Sequence, residues 1–187
     1  MRYPKLRKEE SRQKIVTAAS RAFRSRGIAA TGIDEVMRGA GLTKGAFSAH
    51  FGSKDELVQA AVHESAEHSP IFTAAAETDS LEDLVSHYLG AAHRDHPECG
   101  CPVAALGPEI ARLPKGARGE FVDDFEKMIS FVESRLKGKS PAVRRETALS
   151  ALATMIGTLQ LARLATSKDA SERILETGKK AVVKLAS

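Results

Sequence analysis

At 187 residues the chain is long enough to bury a substantial core, and its 42% hydrophobic and 28% charged residues are typical of a soluble globular protein. No apolar run reaches the roughly 20 residues that span a bilayer, and no apolar signal segment follows the basic N-terminus, so we expect a cytoplasmic protein without a membrane partner. Two cysteines, Cys99 and Cys101, are too few for a secreted disulfide framework.

Positive charge is concentrated in the first third of the chain. Residues 1–60 carry 12 Lys or Arg and 6 Asp or Glu, a balance of +6, whereas residues 61–187 carry 16 and 18, a balance of −2. Such a basic region is typical of a surface that meets a polyanion. From charge alone, a solvated basic surface without any partner is the alternative.

The 3.6-residue spacing of apolar side chains predicts helices along nearly the whole chain and no strand. The helices predicted in the first third cover about residues 9–26, 33–40 and 43–50, and a fourth opens at residues 53–56. Gly27 and Gly41 follow the first two helices, as glycine commonly does. Thr43 can cap the third helix, and the SKDE sequence starting at Ser53 has the spacing of a capping box.

Beyond Pro70, a loop is expected over residues 71–80, and five more helices follow. These predicted helices cover about residues 81–89, 102–113, 116–137, 141–166 and 169 to the end. Pro102 suits the first turn of a helix, and Ser140 followed by Pro141 is a typical helix start. The whole chain is therefore predicted to be all-α, with about nine helices.

The predicted helix over residues 141–166 is apolar on most of its faces, so most of its faces must be covered. We expect a second copy to cover it, with the last two helices of each subunit forming a four-helix bundle. Small residues, Gly157 and Thr158 among them, would permit close approach. The predicted interface residues are Leu149, Leu152, Ile156, Leu159, Ile174 and Val182. The alternative is that this helix is the central core helix of a monomer.

The AGLT sequence at residues 40–43 joins the second and third predicted helices by a short turn containing glycine, which is the spacing of a helix-turn-helix. In that motif the second helix enters the DNA major groove with its first residues near base edges. Apolar residues hold the two helices together, and the outward residues are Lys44, Gly45, Ser48 and His50. The same shape also occurs as packing alone, so the spacing leaves DNA binding open.

The stretch KIVTAASRAFRSRGIAATGIDEVMRGAGLTKGAFSAHFGSKDELVQAA, residues 14–61, resembles the DNA-binding domain of the tetracycline-repressor (TetR) family along its whole length. The matching features are the AA…F…G pattern of the first helix, the AG before the recognition helix and the KGAF..HF.SKDEL block. The resemblance implies a three-helix DNA-binding domain, residues 1–56, and a helical effector-binding and dimerisation domain, residues 57–187. It also implies a repressor that a small-molecule effector releases from DNA.

Carried over residue by residue, the resemblance implies a set of DNA-binding residues near bases and phosphates. These are Thr31, Thr43, Lys44, Gly45, Ser48, His50 and Lys54. His50 and Lys54 fall where the family contacts the DNA backbone. Two positions depart from the family pattern: Ser48 stands where a tyrosine is usual, and Gly32 where a second threonine or serine is common. Affinity or base preference is therefore expected to differ from the family norm.

Aromatic and methionine residues of the last two thirds are candidates for the walls of an apolar effector pocket. They are Phe72, Tyr88, Phe121, Phe125, Met128 and Met155. The alternative is that they are ordinary core residues.

The segment HRDHPECGCP, residues 93–102, contains both cysteines. Cys101 precedes Pro102 and so lies near a helix N-terminus, where the dipole favours a reactive thiolate, which suggests thiol-based sensing through Cys99 and Cys101. His93 and His96 add potential metal ligands, yet Cys-x-Cys lacks the standard zinc spacing, so no metal or cofactor is expected. Small-residue packing is the structural alternative.

The sequence thus favours a dimeric regulator that binds a palindromic double-stranded operator and a small-molecule effector. One alternative is a redox- or metal-responsive regulator acting through Cys99 and Cys101. Another is an architectural DNA-binding protein without sequence preference. An enzyme is not expected, because no nucleophile with a base and an orienting group is recognisable.

Overall fold

The computed structural model describes residues 3–73, 80–138 and 140–187, and within these ranges all regular structure is helical. The α-helices are α1 (Tyr3–Arg26), α2 (Ile33–Gly39), α3 (Lys54–Glu67), α4 (Pro70–Thr73), α5 (Leu81–Tyr88), α6 (Ala91–Asp95), α7 (Pro102–Ile110), α8 (Gly119–Glu133), α9 (Pro141–Leu164) and α10 (Lys168–Ala186). Short 3₁₀ helices occupy Lys44–Ala49, Pro97–Cys99 and Lys115–Arg118. The prediction of an all-α chain is confirmed, and α4 and α6 are the short additions to the expected helices.

Helix ends differ from the prediction where the local sequence permits more than one choice. The first helix begins at Tyr3 instead of about residue 9, because the intervening stretch is rich in good helix formers. α7 ends at Ile110, three residues before the predicted end, and the residue before Pro114 is disfavoured in a helix. The expected loop over 71–80 includes the last three residues of α4, and residues 74–79 lie outside the described part of the chain.

The first core cluster, called here the N-terminal core, is built from α1, α2, the 3₁₀ helix Lys44–Ala49 and α3. Its completely buried members include Ile15, Phe23, Met37 and Leu57. These side chains come from helices that are close in sequence, as a compact three-helix unit requires.

The second cluster, called here the C-terminal core, is built chiefly from α5, α8, α9 and α10. Tyr88, Leu152 and Met155 are among its completely buried members. α9 and α10 pack closely at Gly178, where an added Cβ would lie 2.3 Å from the Cγ2 and Oγ1 atoms of Thr158. Gly178 of α10 therefore permits close approach to Thr158 of α9 within one subunit.

α7 joins the two cores. Cys101, the residue that precedes it, and Ala104 belong to the C-terminal core, whereas Leu106 and Ile110 belong to the N-terminal core. α3 also begins in the N-terminal core and continues past it, so the division into residues 1–56 and 57–187 stays a prediction. No helix in the described ranges has the length and apolar character needed to cross a membrane.

Candidate nucleic-acid interface

The turn between α2 and the 3₁₀ helix Lys44–Ala49 has the backbone of a helix-turn-helix. Gly41 has φ of +69°, a left-handed conformation that glycine adopts without steric cost, and the N–H of Leu42 donates to the carbonyl of Met37 at 2.9 Å. Thr43 then occupies the N-cap position, although its side chain makes no capping hydrogen bond. The predicted short third helix is therefore present, in 3₁₀ form.

Two phenylalanines anchor this 3₁₀ helix to the N-terminal core. Phe47 and Phe51 are buried, and their rings stack with centroids 5.8 Å apart. The guanidinium of Arg12 lies over the Phe51 ring, 4.9 Å from its centroid. With the phenylalanines inward, Thr43, Lys44, Gly45 and Ser48 are exposed and form what is called here the exposed strip. Three of the four residues predicted to face outward are among them, and the fourth, His50, is half-buried.

Lys44 extends from this exposed strip toward α2. Its side chain is 75% exposed, and Nζ pairs with the carboxylate of Asp34 at 2.9 Å. Apart from Gly45 itself and its two chain neighbours, no residue has an atom within 4 Å of the position that a Cβ on Gly45 would take, so the surface beside Lys44 is open. An open strip with an exposed cation is suited to a DNA phosphate or base edge.

His50 and Lys54 lie at the edge of the strip, and both are half-buried. The Nδ1 atom of His50 is buried without a hydrogen-bond partner. The Nζ of Lys54 donates to the carbonyl of Ile28 at 2.7 Å. Ser53 caps α3 by accepting from the N–H of Glu56 at 3.1 Å, which confirms the predicted helix start.

Thr31 has a different role from the predicted one. It is completely buried, and its hydroxyl donates to the carbonyl of Gly27 at 2.7 Å. A hydroxyl used in this way holds the end of α1 and is not presented to DNA, so its assignment as a DNA contact is wrong.

The two departures from the family pattern are both at open positions: Ser48 is exposed, and a Cβ on Gly32 would meet nothing within 4 Å.

The predicted effector-pocket residues divide between the two cores. Tyr88, Met128 and Met155 are buried members of the C-terminal core, and Phe72 and Phe125 pack against its edge. Phe121 instead packs against the N-terminal core, beside a cavity of only about 10 Å³. That volume is about the space of one water, so the location of an effector pocket stays a prediction.

A buried polar cluster surrounds His93, whose partners no sequence pattern indicated. Nδ1 of His93 lies 2.8 Å from the carbonyl oxygen of Tyr88, and Nε2 accepts the backbone N–H of Cys101 at 2.9 Å. Burial lowers the pKa of His93 to about 4, and the Nε2 contact requires the neutral ring. Burial also raises the pKa of Tyr88 well above its usual value. Because His93 binds the backbone and not the thiol of Cys101, it is not arranged as a base for that thiol.

Two arginines connect this cluster to distant helices. Arg24 of α1 donates to the carbonyl of Gly100 at 2.6 Å, and Arg163 of α9 donates to the carbonyl of His93 at 2.7 Å. An added Cβ on Gly100 would lie 2.7 Å from the His93 ring, so only glycine fits there without movement. The partners are about 70 residues or more apart in sequence, which explains why local spacing gave no signal for them.

The two cysteines have different environments. Cys99 is exposed and Cys101 is completely buried, and both are free thiols. Cys101 occupies the predicted position before the first turn of α7. Within the described ranges, no three His, Cys, Asp or Glu side chains come together in a way that could hold a metal ion. The metal-responsive alternative therefore gains no support.

The expected dimer interface needs correction. Leu152, Leu159 and Val182 are completely buried in the C-terminal core of a single subunit, so their assignment to an interface is wrong. The face of α9 that carries Leu149 is the exposed one. Leu149, Leu161 and Leu164 are 48%, 58% and 76% exposed, and Ile156 and Ile174 are half-buried.

Comparison with known proteins agrees with this geometry. Residues 15–61 match the family described as bacterial regulatory proteins, tetR family. The probable HTH-type transcriptional regulator ArpR of Pseudomonas putida is 40% identical over 79 residues, which are 41% of this chain and 37% of that protein. The chain thus matches little more than a third of ArpR's length.

Two further similarities extend along more of the chain. The uncharacterized HTH-type transcriptional regulator Rv0196 of Mycobacterium tuberculosis is 28% identical over 82% of this chain and 84% of that one. The crystal structure of a TetR-family transcriptional regulator from Cytophaga hutchinsonii superposes with a TM-score of 0.74 and 17% identity, covering 95% of this chain and 96% of that one. The likeness in fold therefore includes the helices beyond residue 61.

Proposed function

The chain belongs to the tetR family of helix-turn-helix regulators, and from this premise we propose that it is a dimeric, sequence-specific DNA-binding regulator of transcription. The observation that carries the proposal is the exposed strip of Thr43, Lys44, Gly45 and Ser48, held on the N-terminal core by the buried and stacked Phe47 and Phe51. A rigid, exposed segment with a terminal cation fits the DNA major groove. Such a protein acts in the cytoplasm, where its DNA is.

The residues of the exposed strip and the half-buried Lys54 beside it have different roles in the proposed contact with DNA. Lys44 and Gly45 open the recognition segment, so they meet base edges and the nearest phosphates. Ser48 donates its hydroxyl to a phosphate, and Lys54, at the start of α3, faces the backbone beside it. Phosphate contacts position the segment, and base contacts give it sequence preference.

A second copy of the chain completes the regulator. The exposed leucines of α9, Leu149, Leu161 and Leu164, form an apolar face that a single subunit leaves uncovered. Paired across a twofold axis, two such faces bury one another and place two recognition segments on one face of DNA. The operator is then a palindrome.

An effector acts by changing the spacing of the two recognition segments. α7 contributes to both cores, so a ligand that alters its position in the C-terminal core also moves residues packed in the N-terminal core. A ligand with higher affinity for the form that does not fit the operator releases the protein from DNA. A regulator that an effector releases from its operator in this way is a repressor.

Selection of duplexes from randomised DNA, at about physiological salt, tests the proposal. Recovery of one palindrome with half-sites about one helical turn or more apart is expected. Uniform recovery of all sequences, with affinity that collapses as salt rises, would instead support the architectural DNA-binding alternative. Lys54→Ala is expected to weaken binding to all duplexes alike, whereas Lys44→Ala also changes the selected sequence.

A thiol-responsive regulator is the second candidate, because the exposed Cys99 adjoins the Gly100 carbonyl that Arg24 of α1 holds. Modification of Cys99 by an electrophile would disturb this link to the N-terminal core. The test compares operator affinity before and after alkylation with N-ethylmaleimide, in wild type and in Cys99→Ser. Loss of affinity in wild type alone supports this candidate, and equal behaviour of the two proteins rejects it.

A further inference from the structure

Glu109 of α7 holds the loop between α1 and α2. Its carboxylate oxygen Oε1 accepts hydrogen bonds from the backbone N–H groups of Ile28, at 2.9 Å, and Ala29, at 3.1 Å. Gly27, just before them, has φ of +89°, which turns the chain so that both N–H groups reach one oxygen. Because the acceptor is a carboxylate, these bonds are stronger than ordinary backbone hydrogen bonds. The position of this loop therefore depends on the position of α7.

The same loop binds Lys54 from the other side. The Nζ of Lys54 donates to the carbonyl of Ile28 at 2.7 Å. This carbonyl and the N–H of Ala29 are the two ends of one peptide group, so a carboxylate and an ammonium polarise that group from opposite sides. Hydrogen bonds linked in this way strengthen one another. Lys54 uses one of its three ammonium protons in this bond.

α7 is also fixed to α1 at its other end. Arg24 donates to the carbonyl of Gly100 at 2.6 Å, directly before Cys101, the N-cap of α7. Gly100 and Glu109 are nine residues apart, which along a helix is about 13 Å. A shift or rotation of α7 that keeps both attachments therefore has to move the end of α1 and the loop with it.

We propose that Glu109 is a positioning residue for DNA binding, acting through the peptide group of Ile28 and Ala29 to hold the Lys54 ammonium where the DNA backbone passes. This inference rests on the proposed function, in which Lys54 contacts a phosphate. It also predicts how movement of α7 affects DNA binding. Such movement withdraws Glu109 from the loop, and the Lys54 ammonium is then no longer held in place.

The test compares Glu109→Ala with Glu126→Ala, where Glu126 is an exposed residue of α8 paired with Arg145. Each variant removes one negative charge, so both change the long-range attraction for DNA in the same direction. Binding is measured by fluorescence anisotropy, over a range of salt, to the duplex recovered from randomised DNA. Glu126→Ala is expected to bind as tightly as wild type or slightly tighter. Glu109→Ala is expected to bind about tenfold more weakly, with a salt slope reduced by about one phosphate contact.

A double-mutant cycle separates positioning from a general loss of structure. Lys54→Ala is expected to cost much less affinity in the Glu109→Ala background than in wild type, because the lysine there is already displaced. Glu109→Gln, which keeps an acceptor without the charge, is expected to recover part of the lost affinity. Equal affinities of Glu109→Ala and Glu126→Ala, or an additive cycle, would overturn the positioning role.

Hydrogen exchange tests the loop contact without DNA. The amides of Ile28 and Ala29 are expected to exchange faster in Glu109→Ala and at the wild-type rate in Glu126→Ala. Unchanged exchange in both would overturn the contact itself. If wild type recovers no duplex, the proposed function fails and the positioning role fails with it; if wild type binds and the two alanine variants are equal, only the positioning role fails.

Discussion

The N-terminal core and the C-terminal core place their polar groups in opposite ways. Around the N-terminal core, the residues with a proposed function are outside, on an exposed strip that begins at Thr43. Beside the C-terminal core, His93 is buried and is held by partners from two other helices, the carbonyl of Tyr88 in α5 and the guanidinium of Arg163 in α9. A surface function depends on a short stretch of sequence, whereas a buried cluster depends on contacts between distant stretches.

The substitutions with the largest expected effect on stability test whether the N-terminal core and the C-terminal core unfold separately. Leu57→Ala empties space in the N-terminal core and Leu152→Ala does so in the C-terminal core, and each side chain is completely buried. Each substitution is expected to lower the free energy of unfolding by about 2–5 kcal/mol. Because α7 contributes to both cores, urea unfolding of both variants is expected to follow one cooperative transition.

Leu6→Ala is the matched control, since Leu6 is 52% exposed on α1 and its loss is expected to change stability by less than about 0.5 kcal/mol. Two separated transitions in either core variant, monitored by circular dichroism, would contradict the coupling through α7 and would support two independent domains.

The second largest expected effect is a loss of stability at low pH, and it comes from His93 beside the C-terminal core. An unfolded histidine has a pKa of 6.5, and burial lowers the pKa of His93 to about 4. Between these values the unfolded chain binds a proton that the folded chain does not. Stability is therefore complete above pH 6.5 and falls as the pH drops toward 4, by about 3 kcal/mol from this residue.

Urea unfolding at a series of pH values between 4 and 8, in wild type and His93→Asn, measures this contribution. The variant is expected to be less stable at pH 7.5 but to lose less stability on acidification. His87→Gln, at an exposed position, is the control and is expected to follow wild type. His63 acts with the opposite sign: its hydrogen bond to Asp124 raises its pKa, so its contribution is complete below pH 6.5 and is lost as the pH rises.

The N-terminal region was the more predictable from sequence for physical reasons. Its signals are local: Gly41 ends a helix, Ser53 starts one, and Phe47 and Phe51 lie four residues apart on one face. Thr31 was misassigned because a resemblance reports a residue type at a position and not its burial.

The predicted interface residues were partly misjudged for a related reason. A helix apolar on most of its faces gives no indication of which face turns inward, so Leu152 was assigned to the interface although it is core. The contact of Glu109 with Ile28 joins residues 81 positions apart, and no periodicity carries that information.

A smaller effect concerns how closely the C-terminal helices pack. Gly178→Ala places a Cβ 2.3 Å from Thr158, so α9 and α10 have to separate. We expect a loss of about 1–3 kcal/mol in thermal or urea unfolding, despite the better helix propensity of alanine. Gly107→Ala, whose new Cβ would lie 4.0 Å from its nearest neighbour, is the control and is expected to be neutral or stabilising. The double variant Thr158→Ala/Gly178→Ala is expected to recover part of the loss, and simple additivity would contradict this steric explanation.

The smallest effect on stability is expected beside the exposed strip, where Asp34 pairs with the exposed Lys44. Asp34→Asn removes an ion pair that water already screens, so the free energy of unfolding is expected to change by less than about 1 kcal/mol. DNA affinity is expected to rise by roughly two- to fivefold, because a negative charge leaves the strip and Lys44 no longer has to exchange a carboxylate for a phosphate. Asp123→Asn on α8 removes the same charge at an exposed position away from the strip, and its smaller change in affinity gives the long-range part of the effect. If the two variants bind DNA equally, Asp34 does not compete for Lys44, and the strip presents its lysine to DNA without first releasing it from a partner.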